Sequence, residues 1–327
     1  MTDPGRDLDL LVIGELNPDV IVLGAPERPA FGQAETLVDG ISLTVGSSSA
    51  ITACGAARLG LRVGFVGIVG DDDLGRFMLR ALIERGIDVA NCVVDPALTT
   101  GASVILGRGG DRAILTAVGA IDALRTTDVP ASLFRRTRHV HVGSLYLQAA
   151  LRPGLAPLLV AARAAGATVS VDPNWDPSGR WDPIDDVIAA SDVCLLNANE
   201  VRALTGDADP EVGARALAAR GRDGLTVVVK LGADGGLAVS GDVVVRASAP
   251  PTDVLDTTGA GDSFDAGFIA AWSAGWSLTE SLDLAVVCGS ASTRRPGGVD
   301  GQATLTEAVA LATAAGRSLP ADLQAAP

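Results

Sequence analysis

Short apolar runs alternate with longer stretches of helical periodicity along this chain. Leu8–Ile13, Val63–Ile68, Arg138–Val142, Ala167–Val171, Asp192–Leu196 and Leu225–Val229 are brief, and most stop at a glycine or a polar residue. Between them, Ala50–Leu59, Leu74–Arg85, Leu155–Ala165 and Glu211–Ala219 read as helices. Nearly continuous apolar strands separated by helices predict βαβ units, hence a parallel sheet buried on both faces. The expected fold is α/β, a mostly parallel, doubly wound central sheet with helices on both faces. Two stretches break the rhythm. Residues 16–45 carry Pro18, Pro26 and Pro29 and then the alternating Thr36–Val45, while residues 99–117 read as two strands joined at Arg108-Gly109-Gly110-Asp111. Together they predict a small, discontinuous antiparallel β lid on a single domain spanning 1–327. The tail from 318 to 327 is expected to fray.

The chain has 327 residues, 48% of them hydrophobic and 20% charged, enough apolar material for one large domain. A net charge of −14 argues against nucleic acid or an anionic membrane as the main partner. Four dispersed cysteines and two histidines leave no zinc or disulfide pattern. The acidic start is unlike a signal peptide, and no apolar run approaches the ~18 residues of a membrane span. A cytoplasmic protein is expected. Lys230 is the only lysine among 25 basic residues.

In open α/β sheets, ligands bind beyond the carboxyl ends of the strands. The polar residues there are Asn17 and Asp19, Asp172 and Asn174, Asn197 and Glu200, and Lys230. Carboxylates, amides and one lysine delivered to a common edge suit a metal–phosphate group and a polyol. Each also has a plainer reading: Asn-Pro-Asp is a turn tripeptide, and Asn-x-x-Glu resembles a capping box. His139 and His141 alternate along a strand, so one is expected on each face, in packing roles. His141, close to Gly143, is a candidate substrate contact.

The most informative segment is Asp256-Thr257-Thr258-Gly259-Ala260-Gly261-Asp262-Ser263-Phe264, followed by an apolar helix. Small residues opening a helix leave first-turn N–H groups bare, an anion site reinforced by the positive end of the helix. Asp262 beside that cradle suits a general base that delivers an alcohol to a phosphoryl group. Its plain alternative is a helix cap. Phe264 stands where a dinucleotide fingerprint needs its third glycine, which argues against a nicotinamide enzyme.

The 256–268 segment strongly resembles the C-terminal signature of the ribokinase (PfkB-type) carbohydrate kinases. Gly46–Gly60 with Val66–Asp72, Asn197–Glu200 and Lys230–Gly235 resemble further family motifs, in the family's order and across nearly the whole chain. The resemblance implies a ribokinase-like fold and ATP-dependent phosphorylation, with ATP and Mg2+ as cofactors. It makes Asp262 the base and Gly259, Ala260 and Gly261 the anion hole. Asn197 would face the phosphates, Glu200 would organise Mg2+ through water, and Lys230, Gly232 and Gly235 would line the ATP side. Asn17 and Asp19 would hold sugar hydroxyls, with Gly46 and Ser47 as the hinge to the lid. Asp256 matches an aspartate that borders a monovalent-cation site in many relatives, which makes K+ a candidate as well.

Departures from the pattern narrow the substrate. Ser47 replaces a second glycine, and Ile51 (or Ala50) replaces an asparagine that touches sugar in relatives. The Gly-rich motif also lacks the lysine that some relatives acting on sugar phosphates carry, and a phosphorylated substrate needs a cationic partner. The expectation is a sugar kinase acting on a primary hydroxyl of a small, unphosphorylated sugar or related polyol. A nucleoside kinase of the same fold and a catalytically weak sugar-binding or regulatory relative are the alternatives. Lid edges need cover, so a homodimer through the β lid is expected.

Overall fold

The computed structural model describes residues 6–108 and 111–323. Its strands, in chain order, are β1 (Leu8–Ile13), β2 (Pro18–Leu23), β3 (Gly40–Val45), β4 (Val63–Val66), β5 (Ile68–Gly70), β6 (Val93–Asp95) and β7 (Ala102–Arg108). They continue with β8 (Asp111–Ala117), β9 (Thr137–Gly143), β10 (Thr168–Asp172), β11 (Val193–Asn197), β12 (Thr226–Lys230), β13 (Gly236–Ser240) and β14 (Val243–Ala247). The central sheet runs β14-β13-β12-β11-β10-β9-β1-β4. It is parallel from β4 to β12, and β13 and β14 add an antiparallel edge.

Alternation along each strand explains why both faces are covered. Leu11 and Ile13 of β1 join an apolar cluster with Leu155, Leu159, Val201 and Leu217 from helices on one face. Leu10 and Val12 join Ile51, Met78, Phe264 and Phe268 from helices on the other. A third cluster packs the helix Leu305–Ala314 against Leu278–Ser292, and Leu319 and Leu323 pack onto it. Residues 324–327, the rest of the expected frayed tail, lie outside the described residues.

The lid is a four-stranded sheet in the order β3-β2-β7-β8. Its outer pairs are antiparallel, as expected, and they join through a parallel β2–β7 pair that local pattern did not reveal. The turn proposed at 108–111 centres on Gly109 and Gly110, outside the described residues. Ile41, Leu43, Ile114 and Leu115 leave apolar surface exposed on the lid. Among the described residues, no helix is long and apolar enough to cross a membrane.

One expectation is overturned here. Residues two apart on a strand point to the same face, and His139 and His141 do so. Both rings bond the Ser170 hydroxyl, His139 through Nε2 at 2.7 Å and His141 through Nδ1 at 2.8 Å. Burial pushes His139 down to about 3 and His141 to about 4, so both are neutral.

Candidate active site

The carboxyl ends of β10 and β12 meet the first turns of one long helix, Ala260–Ser273, where Lys230 bonds both Asp172 and Asp265. Gly259 caps that helix with φ +70°, a left-handed conformation that glycine adopts without strain. Among the described residues, the N–H groups of Gly261 and Asp262 meet no acceptor, while Ala260 N–H reaches Thr257 O at 3.3 Å. Two bare amides at a helix start form an anion cradle. Asp262 lies beside them, 8% exposed. Burial, together with the charges of Asp172 and Glu15, pushes its carboxyl up to about 7, against an opposing pull from Lys230. A carboxyl poised there can accept a proton near neutral pH.

Beneath the cradle lies a compact group of charges. Lys230, at the end of β12, donates to Asp172 Oδ2 at 2.6 Å and to Asp265 Oδ2 at 3.0 Å. Asp172, Asp262 and Asp265 bring carboxyl oxygens within 4.8 Å of one another. Lys230 therefore turns inward and is engaged by the acids Asp172 and Asp265, not solvated at the strand end. Asp265 had escaped notice in the sequence, although it stands one helical turn after Asp262 and so on the same face.

Asn197 and Glu200 form the capping box that their spacing allowed. Asn197 Oδ1 accepts from Glu200 N at 3.0 Å, and Glu200 Oε2 accepts from Asn197 N at 2.8 Å. Glu200 Oε1 also accepts from Asn197 Nδ2 at 2.5 Å. The carboxyl is buried, and burial with the nearby Asp172 charge pushes it up to about 7. Structural cap and acidic wall of the site coincide in this pair.

On the acceptor side, Glu15 and Asn17 follow β1 and are buried, as is Asp19 in β2, where Gly46 packs closely over its carboxylate. Glu15 is a second residue that motif reading missed. Its carboxylate accepts from Ser49 Oγ at 2.5 Å and Ser49 N at 3.3 Å, and burial pushes it up. Three non-glycine residues here hold left-handed backbone: Ser47 (φ +69°), Ser144 (φ +51°) and Asn174 (φ +53°). Such strain gathers where surrounding contacts over-determine a loop, commonly at ligand sites. Ser47, in place of a glycine, keeps a glycine-like φ by donating to Glu15 O at 2.5 Å and accepting from Ala50 N at 3.1 Å.

The remaining candidates divide. Ile51 is buried under the cradle, in reach of Gly259 and Gly298, so that position supplies packing and no sugar hydrogen bond. His141, 1% exposed, lies beneath the site and does not reach its surface as a substrate contact would. Gly232 is exposed in the turn after β12, and Gly235 closes that turn against the backbone of Ala247. Asp256 Oδ1 accepts from Thr258 N at 2.9 Å and Oδ2 from Gly297 N at 2.8 Å, tying the segment before the cradle to the 297–301 loop.

Comparison with known proteins bears on the family and the fold. The model of the pfkB family carbohydrate kinases matches residues 7–314. A fructokinase of Klebsiella pneumoniae is 35% identical over 268 residues, covering 77% of this chain and 86% of that protein. An aminoimidazole riboside kinase of Salmonella typhimurium is 33% identical over 262 residues, covering 75% and 80%. An E. coli structure described as a ribokinase II, in complex with ATP and Mg2+, superposes with a TM-score of 0.81. It is 23% identical and covers 94% of this chain and 99% of that one, a likeness of fold.

Proposed function

The chain belongs to the pfkB family of carbohydrate kinases, enzymes that transfer phosphate from ATP, and we propose that this member phosphorylates a primary hydroxyl of a small, unphosphorylated sugar or related polyol. The observation that carries the proposal is Asp262, buried and pushed up to about 7, beside the unpaired amides of Gly261 and Asp262. The acceptor hydroxyl gives its proton to the Asp262 carboxylate as its oxygen attacks the γ-phosphorus of ATP; the bond to the bridging oxygen breaks and ADP leaves. The bare N–H groups of Gly261 and Asp262, at the end of the Gly259–Gly261 turn, receive the charge on the transferring group.

Carboxyl oxygens and an amide make up the donor set around the cradle, which suits Mg2+, a hard cation that keeps several waters. Glu200 and Asn197 would hold it through water on the nucleotide side, where Gly232 and Gly235 border the turn. Mg-ATP, when bound, supplies the phosphoryl group and offsets its charge. Asp256 is the residue proposed to border a K+ site. Asn17 and Asp19 would bond acceptor hydroxyls. The acidic groups Asp19 and Asp262 disfavour an anionic acceptor by like-charge repulsion. A nucleoside acceptor is the second reading, favoured by the 33% identity to the aminoimidazole riboside kinase. A second copy of the chain would cover Ile41, Leu43, Ile114 and Leu115 of the lid. ADP release over a panel of sugars, sugar phosphates, sugar acids and nucleosides tests the proposal; preference for a phosphorylated or acidic sugar would overturn it.

A further inference from the structure

We infer that Lys230 is a positioning residue, an internal counter-ion that locks the catalytic helix to the acceptor-side loops, and that it does not serve as a ligand of the nucleotide. The inference rests on the kinase reading for its kinetic consequences but on geometry for its substance. The Lys230 side chain is 11% exposed, and the side chains of Asp172 and Asp265 that hold it are 2% and 1% exposed. Its stem passes under the cradle: a β-carbon on Gly261 would lie 3.6 Å from Lys230 Cδ and 3.7 Å from Nζ. Swinging the ammonium out to a phosphate would leave Asp172 buried without its cation, and an unpaired buried charge is costly.

Each acid carries the lock in a different direction. Asp265 belongs to the helix whose previous turn bears Asp262. Asp172 Oδ1 accepts from Asn174 N at 3.0 Å, and Asn174 Oδ1 accepts from Ser144 N at 2.8 Å and Ser144 Oγ at 3.1 Å. Asn174 and Ser144 are two of the left-handed residues at the ends of β10 and β9. One ammonium thus connects the base-bearing helix to the two strained loops that face the acceptor. Its charges also close. The Lys230 ammonium holds Asp172 low as a carboxylate, and burial pushes Asp265 well up as the neutral acid.

The test compares the full-length protein with Lys230→Met, Asp172→Asn and the double variant, measuring the Kd of Mg-ATP, kcat on an accepted acceptor, and Tm. A positioning role predicts that Lys230→Met lowers kcat by at least about tenfold, as expected for a slight misplacement of reacting groups, with the Kd of Mg-ATP changed less than about threefold. It also predicts that adding Asp172→Asn to Lys230→Met raises Tm, because the stranded charge is gone, so the two effects on Tm are non-additive. A tenfold weaker Mg-ATP with kcat retained, or strictly additive Tm losses, would overturn the inference. Should Lys230→Met fail to fold, the double variant folding where the single does not counts as support, and both failing counts against. If the wild type phosphorylates no acceptor, the kinase reading falls, while the Kd and Tm cycle still decides the role of Lys230.

Discussion

A β-carbon on Gly259 would stand 2.7 Å from the α-carbon of Gly298, so the turn that opens the catalytic helix and the 297–301 loop are in direct backbone contact. With φ at +70° besides, Gly259→Ala meets both strain and a clash that no side-chain rotation relieves. The variant should lose stability by about 1 kcal/mol or more and lose activity through displacement of the bare amides. Thermal unfolding and turnover check this. Wild-type values in both would mean that the loop yields freely and the cradle geometry is not critical.

The activity should depend on pH near neutrality. Asp262 must be ionised to accept a proton, and it is pushed up to about 7, as is Glu200. The two groups are near neighbours, so kcat/KM should rise with pH in an interval around 7 that belongs to the pair. An ordinary aspartate base would leave the profile flat above pH 5, and such flatness would contradict the geometry described.

The same shift fixes a stability trend. Between the ordinary value of 3.8 and about 7, the folded protein holds a proton on Asp262 that the unfolded chain has released. Stability from this group is fully present below about pH 4 and is lost as pH rises through about 7. Asp262→Asn removes the cost of ionising a buried acid, so it should be more stable than wild type at pH 8, by at most about 4 kcal/mol. That gain should shrink toward pH 4. Denaturant titrations at the two pH values check the sign, and a gain that grows on acidification would refute it.

Ser47 holds a strained backbone and two hydrogen bonds at once. Ser47→Ala keeps the φ of +69° and removes both the bond to Glu15 O and the cap on Ala50 N. A loss of about 1–2 kcal/mol follows from a missing N-cap and an unpaired buried carbonyl. Urea unfolding measures it; an unchanged midpoint would mean that water replaces the hydroxyl without cost.

The central sheet was legible because its strands are buried on both faces and therefore apolar throughout, as in Val227-Val228-Val229. The cradle was legible because Gly259-Ala260-Gly261-Asp262 packs turn, helix start and acid into four positions. What escaped notice depends on partners distant in sequence. Lys230 stood at a strand end as expected, but its inward direction is set by Asp172 and Asp265, which are 58 and 35 residues away. Ile51 reads as a lost sugar contact until Gly259 and Gly298 are seen packed against it. The parallel β2–β7 pairing likewise joins segments that no local pattern links. The two-residue period of a strand puts His139 and His141 on one face, a relation that their spacing already contains.

The role proposed for Asp262 is to accept the acceptor's proton beside the amides that receive the phosphoryl group. Turnover of Asp262→Asn with Mg-ATP and an accepted sugar tests it most directly, provided Mg-ATP binding is measured on the same sample. The account predicts turnover at least about 10²-fold lower with Mg-ATP still bound. Turnover within a few-fold of wild type would show that another group moves the proton.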